Sequence, residues 1–182
     1  MPDVLIAPRD EDDVGGSASE LVAIVERALE GLARSREEEG ARLADVLEQR
    51  LAVLAGALDR ISARAPERLR AHRDRLQAAV RELTDGLSLD EQRLAQEIAI
   101  LADRLDIAEE MDRFRSHIAA FRSTLRDPAG EPVGKRLGFL LQEMLREANT
   151  TGSKGADAAV LHEVVGVKEE LERIREQVEN LE

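Results

Sequence analysis

Between Leu43 and Ile61 the chain places an apolar residue at 43, 47, 51, 54, 58 and 61. Steps of three and four hold one stripe on one side of a helix, whereas a strand needs strict alternation. Similar spacing occurs upstream at Leu21, Ile24, Val25, Ala28, Leu29 and Leu32, so a long helix with one buried face is expected. Little in the chain favours a sheet: aromatic residues are 2 % and Trp and Tyr are absent. Ala, Leu, Glu and Arg dominate, and these are among the better helix formers. The expected fold class is all-α, a bundle of about five helices, several long and antiparallel with coiled-coil character.

Local punctuation divides the chain. Residues 1–16 read as a flexible acidic lead-in ending in Gly15-Gly16. Ser17 and Glu20 form an S-x-x-E box that caps free N–H groups at a helix start. Pro66 stands where a second helix can begin, since its missing N–H costs nothing in a first turn. Residues 17–86 are thus expected to form a long helical hairpin, stopping near Asp85-Gly86. Ser88 and Glu91 repeat the capping box and open a helix expected over about 89–126. Asp127-Pro128-Ala129-Gly130 is a turn signal that closes with Pro132. A fourth helix is expected to reach about Ala148 and a fifth to begin near 156, so that 87–182 forms a C-terminal helical domain.

Composition excludes several chemistries. Without cysteine there is no disulfide, thiolate nucleophile or Cys-based zinc site. MPDVLIAPRDEDD carries no basic region and its apolar run is too short for a signal peptide. No stretch approaches the roughly 18 apolar residues of a membrane span, so a soluble cytoplasmic protein is expected. The formal charge of −12 speaks against a general polyanion binder. It is unevenly spread: residues 1–63 hold 7 Lys/Arg against 14 Asp/Glu, whereas 64–126 hold 12 against 12. A local anion site in the middle or at the C-terminus is therefore compatible with the total.

Candidate chemistry concentrates in DRLDIAEEMDRFRSH. Asp106, Glu109, Glu110, Arg113 and His117 share roughly one hundred degrees of helix surface, while Ile107, Met111, Phe114 and Ile118 form a packing face beside them. Hard cations take oxygen ligands, and Mg²⁺ or Mn²⁺ commonly needs only one or two carboxylates plus phosphate. His117 has an imidazole suited to general acid or base work. A solvated stripe of i, i+3 and i, i+4 ion pairs is the commoner use of such spacing. In the fourth helix Leu137, Leu140, Leu141, Met144, Leu145 and Ala148 share the expected core side. Gln142, Glu143, Arg146 and Glu147 share the opposite side with Phe139, which either stacks a base or packs on a neighbouring helix. Asn149–Gly155 is a hydroxyl-rich loop with the composition of a phosphate cradle but without P-loop spacing. Its backbone N–H groups and Lys154 remain open to a phosphate. His72 and His162 have no evident companions, and no Ser/His/Asp or zinc motif and no DNA-binding motif is present.

Three segments, RLAQEIAILADRLDIAEEMDRFRSHI, GKRLGFLLQEMLREANTTGSK and KEELERIREQVENLE, closely resemble the C-terminal region of YicC/YloC-type bacterial endoribonucleases. The resemblance covers about residues 91–182 and continues more weakly through REEEGARLADVLEQRL. It implies a cytoplasmic, ring-forming, divalent-metal-dependent ribonuclease acting on RNA. It also implies an additional N-terminal α/β domain in family members, to which nothing here corresponds, so a truncated homologue or fragment is expected. Carried onto matching positions, the first motif holds Asp106, Glu109, Glu110, Arg113 and His117. The second holds Arg136, Glu143, Arg146, Glu147, Asn149, Ser153 and Lys154, and the last holds Lys168, Glu172, Arg175, Glu176, Gln177 and Glu182. Two residues depart from the pattern: Gly138 stands where the family usually has Asp, and Gly166 where it has an acidic or polar residue.

The expectation is therefore cleavage of RNA phosphodiester bonds by a homo-oligomer using Mn²⁺ or Mg²⁺. Glu109, Glu110, Glu143 and Glu147 are the expected metal ligands and, with His117, the catalytic set. Arg113, Arg136, Arg146, Asn149, Ser153, Lys154, Lys168 and Arg175 are expected to contact RNA. The alternatives are a non-catalytic RNA-binding adaptor and a structural oligomerisation module.

Overall fold

The computed structural model describes residues 17–83, 91–126, 133–155 and 157–179. These contain α1 (Ala18–Leu83), α2 (Glu91–Leu105), α3 (Ala108–Arg126), α4 (Val133–Lys154) and α5 (Ala158–Val178), and no strand among the described residues. The fold is all-α, as the leucine spacing and the scarcity of aromatics require. The chain divides into two compact units, residues 1–41 and 42–182.

In the first unit α1 opens on the expected capping box. The Ser17 N–H donates to Glu20 Oε2 at 2.7 Å and the Glu20 N–H to Ser17 Oγ at 3.3 Å. The backbone bond from Ser17, followed by its hydroxyl, holds the Glu20 carboxyl below the usual range. The stripe expected to be buried here is exposed instead, with Leu21 65 %, Leu29 59 % and Leu32 54 % accessible. Its periodicity is helical, but periodicity does not itself supply a partner.

In the second unit the later stripe is buried as expected. Leu47, Leu51, Leu54, Leu58 and Ile61 join Phe114 and Phe121 of α3, Leu137 and Met144 of α4, and Val160 and Ile174 of α5 in one core. Each such side chain contributes about 1.5–3 kcal/mol by leaving water. Ion pairs establish the helix directions. Arg50 meets Glu170 and Arg60 meets Glu163, so α1 and α5 run antiparallel. Arg115 meets Asp59 and Arg122 meets Glu48, so α1 and α3 do likewise. α4 packs closely on both α3 and α5.

Three boundaries and one buried face differ from the sequence-based expectation. Pro66 lies inside α1 instead of starting a second helix, so α1 is continuous and the expected hairpin turn is absent. Once a helix is nucleated, one lost hydrogen bond does not stop propagation. On either side of the proline α1 shares shallow clefts with α2, one lined by Ala65 and Ala102 and another by Leu76, Val80, Leu94 and Leu101. The helix expected over 89–126 is broken at Asp106-Ile107, where Asp106 Oδ1 accepts the Ala108 N–H at 2.9 Å and starts α3 anew. α4 continues through the expected loop to Lys154. Finally, Leu145 is 37 % exposed while Glu147 is buried. At about 100° per residue, Glu147 falls beside Leu140 at the edge facing α3. The capping box at Ser88, the turn at 127–130, Pro132 and Glu182 lie outside the described residues.

Candidate functional site

The polar run after Ala148 stays helical because its hydroxyls bond to their own helix. Thr150 Oγ1 donates to the Arg146 carbonyl at 3.1 Å, Thr151 Oγ1 to that of Glu147 at 2.8 Å, and Ser153 Oγ to that of Thr150 at 2.8 Å. Thr151 is fully buried. Glycine permits close approach to α5 here: a Cβ on Gly155 would lie 2.9 Å from the Thr151 carbonyl oxygen and 3.0 Å from Val160 Cγ1. Asp157 then caps α5 by accepting the Ala159 N–H at 2.7 Å. The expected phosphate-binding loop is thus the end of a helix, and its three hydroxyls are already engaged.

That helical ending places Lys154 over the start of α3. Its Nζ donates to the Asp106 carbonyl at 3.0 Å and to Glu110 Oε1 at 2.8 Å. Glu110 is 7 % exposed, and its Oε2 is buried with no hydrogen-bond partner. Because α3 and α4 are antiparallel, the next pair along the seam joins Arg113 to Glu147, with 4.0 Å between Arg113 Nη1 and Glu147 Oε1. Arg113 also holds Glu109, one turn back on its own helix. One turn further along each helix lie His117 and Glu143, both half-buried. The α3/α4 seam therefore alternates buried acids with bases: Glu110 with Lys154, then Glu147 with Arg113.

The adjacent acids Glu109 and Glu110 have different partners, and Glu109 is exposed. Among the described residues no three His, Asp or Glu side chains converge on a point that would hold a metal ion. The donor set still fits a hard cation that takes one or two carboxylates, with water and phosphate oxygens completing its shell. The unpartnered Glu110 Oε2 is the clearest such donor.

The other expected site residues lie elsewhere on α4 and α5. Arg136, Arg146, Asn149 and Ser153 are exposed along α4. Lys168 and Arg175 do not join the seam; they line a groove between α4 and α5, together with Glu172. Glu176 is exposed and Gln177 half-buried. Sequence reasoning missed Thr151 as a fully buried part of α4 and Lys135 and Gln142 as groove residues. A helical reading of the polar run would have placed Thr151 inward.

A family model described as Endoribonuclease YicC-like, C-terminal, matches residues 61–182. A relative from Clostridioides difficile (strain 630), named Probable endoribonuclease YicC, is 40 % identical over 183 residues, covering 100 % of this chain and 62 % of its own length. One of the same name from Haemophilus influenzae is 35 % identical over 187 residues, covering 100 % and 63 %. The chain thus spans somewhat over three-fifths of the length of these curated relatives. On the match across residues 61–182, the chain belongs to the YicC-like endoribonuclease family and carries its C-terminal region.

Proposed function

We propose that this chain is the helical part of a metal-assisted endoribonuclease and that the α3/α4 seam handles the scissile phosphate. The observation that carries the reading is the pairing of buried Glu110 and Glu147 with Lys154 and Arg113 across two helices. The description of the family and the names of its relatives support the reaction class. Lys154 and Arg113 offset charge developing on phosphate. Glu110 and Glu147 hold those cations in place and, with Glu109 and Glu143, are the candidate oxygen donors for Mn²⁺ or Mg²⁺. When bound, such an ion supplies Lewis acidity at the phosphate. His117 moves a proton to or from the reacting oxygens. Arg136, Arg146, Asn149 and Ser153 contact the RNA backbone along exposed α4.

The exposed apolar stripe of residues 21–32 supports a homo-oligomer, with a second copy covering it. Among the described residues no helix is long and apolar enough to cross a membrane, and cytoplasmic RNA is the proposed substrate. The second reading, RNA binding without cleavage, draws on the absence of a converged acid cluster among the described residues.

Labelled RNA incubated with purified protein in Mn²⁺, Mg²⁺ or chelator separates these readings. The expected result is cleavage with metal and none with chelator. It should fall by about 100-fold or more in a Glu110→Gln, Lys154→Ala double variant, which leaves no charge buried alone. Glu143→Gln with Glu147→Gln is expected to remove cleavage with helicity retained. Cleavage that survives chelation sinks the metal mechanism. Binding without cleavage favours the adaptor, and a stable oligomer that ignores RNA favours a structural module.

A further inference from the structure

We infer that the groove between α4 and α5 seats one nucleotide of single-stranded RNA, its base on an aliphatic floor and its backbone phosphates toward the lysines at the two ends of that floor. The inference deepens the function proposed above and rests on it. The groove measures 340 Å³ and is separate from the α3/α4 seam, on the other edge of α4. That volume is far larger than a bare phosphate requires and lies where small-ligand sites begin, at roughly 300 Å³. Its apolar surface comes from Leu141, Leu145 and Leu171, which suit the face of a base.

The charges around that floor favour an anion. Lys135 on α4 and Lys168 on α5 line the groove from opposite helices, and neither has an ion-pair partner among the described residues. Arg175 is already held by Glu179 at 3.1 Å. Gln142 and Glu172 also line the groove and supply an amide and a carboxylate for a base edge, whose exocyclic amines donate and whose ring nitrogens accept. A duplex hides those edges and faces in its stack, whereas a single strand can splay one base into a pocket.

Gly138 keeps the groove open. It lines the groove in mid-helix, and a Cβ there would meet nothing within 4 Å. Glycine in a helix interior is unfavourable relative to alanine by about 1 kcal/mol, so a larger residue at 138 fills the groove without burdening the fold. This makes Gly138→Leu a blocking variant that tests occupancy separately from folding.

The experiment measures binding of a fluorescent single-stranded oligoribonucleotide to the full chain by anisotropy, in chelator so that nothing is cut. Gly138→Leu is expected to weaken binding about tenfold or more, with helicity and melting temperature unchanged or raised. Lys135→Ala with Lys168→Ala is expected to weaken it as well and to flatten the salt dependence by roughly 0.7 in slope for each phosphate that is no longer neutralised. A duplex of the same sequence is expected to bind more weakly, with little effect of Gly138→Leu. Wild type and Gly138→Leu binding the single strand equally would overturn the groove and leave the seam reading standing. Equal binding of duplex and single strand would overturn the seating of a base. No binding of RNA by the wild type would overturn the functional reading itself, and the groove with it.

Discussion

Glu170 shows how a charge is kept inside this bundle. It is 6 % exposed and accepts hydrogen bonds from Arg50 at 2.8 Å and Arg173 at 2.9 Å. Burial pushes its carboxyl up, but the two arginine bonds and their charges together outweigh burial and leave it below the usual range. A folded-state value below the unfolded one gives stability that is complete above the ordinary Glu value of about 4.3 and lost as pH falls through the folded value. Glu170→Gln is expected to cost roughly 1–2 kcal/mol at neutral pH, since partial exposure of both arginines screens the pairs. Urea titrations should show that difference shrinking once the pH drops below about 4. A difference that stays constant from pH 7 to pH 3 would show that the carboxylate charge is not what matters. Glu110 faces the same problem of burial with Lys154 as partner, and its unpartnered Oε2 marks where that solution is incomplete.

Two glycines that look alike in sequence separate once α4 and α5 are packed. Gly166 sits exposed in the middle of α5, and a Cβ there meets nothing within 4 Å. Gly166→Ala is therefore expected to raise stability by about 1 kcal/mol, the propensity difference alone. Gly155 lies between the end of α4 and the start of α5, where a Cβ would press on the Thr151 carbonyl oxygen and Val160. Gly155→Ala is expected to destabilise by about 1–3 kcal/mol and, under the function proposed above, to lower RNA cleavage, because the neighbouring Lys154 would lose its seat over Glu110. Thermal melts of the two variants should move in opposite directions; movement in the same direction would mean that the α4/α5 approach is looser than these distances imply. The polar run itself reads as a loop in sequence because Asn, Thr, Gly and Ser are weak helix formers by propensity. Hydroxyl bonds back to the carbonyls of Arg146, Glu147 and Thr150, with burial of Thr151, reverse that preference.

At the scale of the whole molecule, the two units use similar leucine spacing to opposite ends. Residues 47–61 bury their stripe in the core, whereas Leu21, Leu29 and Leu32 remain exposed. Replacing Leu29 and Leu32 by Lys is expected to shift the protein to a smaller assembly in sedimentation while the second unit keeps its melting temperature. A wild type that sediments as a monomer would remove the case for an oligomer. Much of the architecture was legible in the sequence by itself. The three-and-four spacing and the scarcity of aromatics determined an all-α fold, and the S-x-x-E box fixed the start of α1. The motif around Asp106–His117 and the run ending in Lys154 held the residues that the structure pairs across α3 and α4. Periodicity could not say which face gains a partner, because burial is a property of two surfaces and the pattern belongs to one. Only the tertiary structure decided that Pro66 is passed through, that Asp106 ends one helix and caps the next, and that Glu147 turns inward while Leu145 does not. Only it brought Lys154 to Glu110, residues distant in sequence that meet because α3 and α4 lie antiparallel.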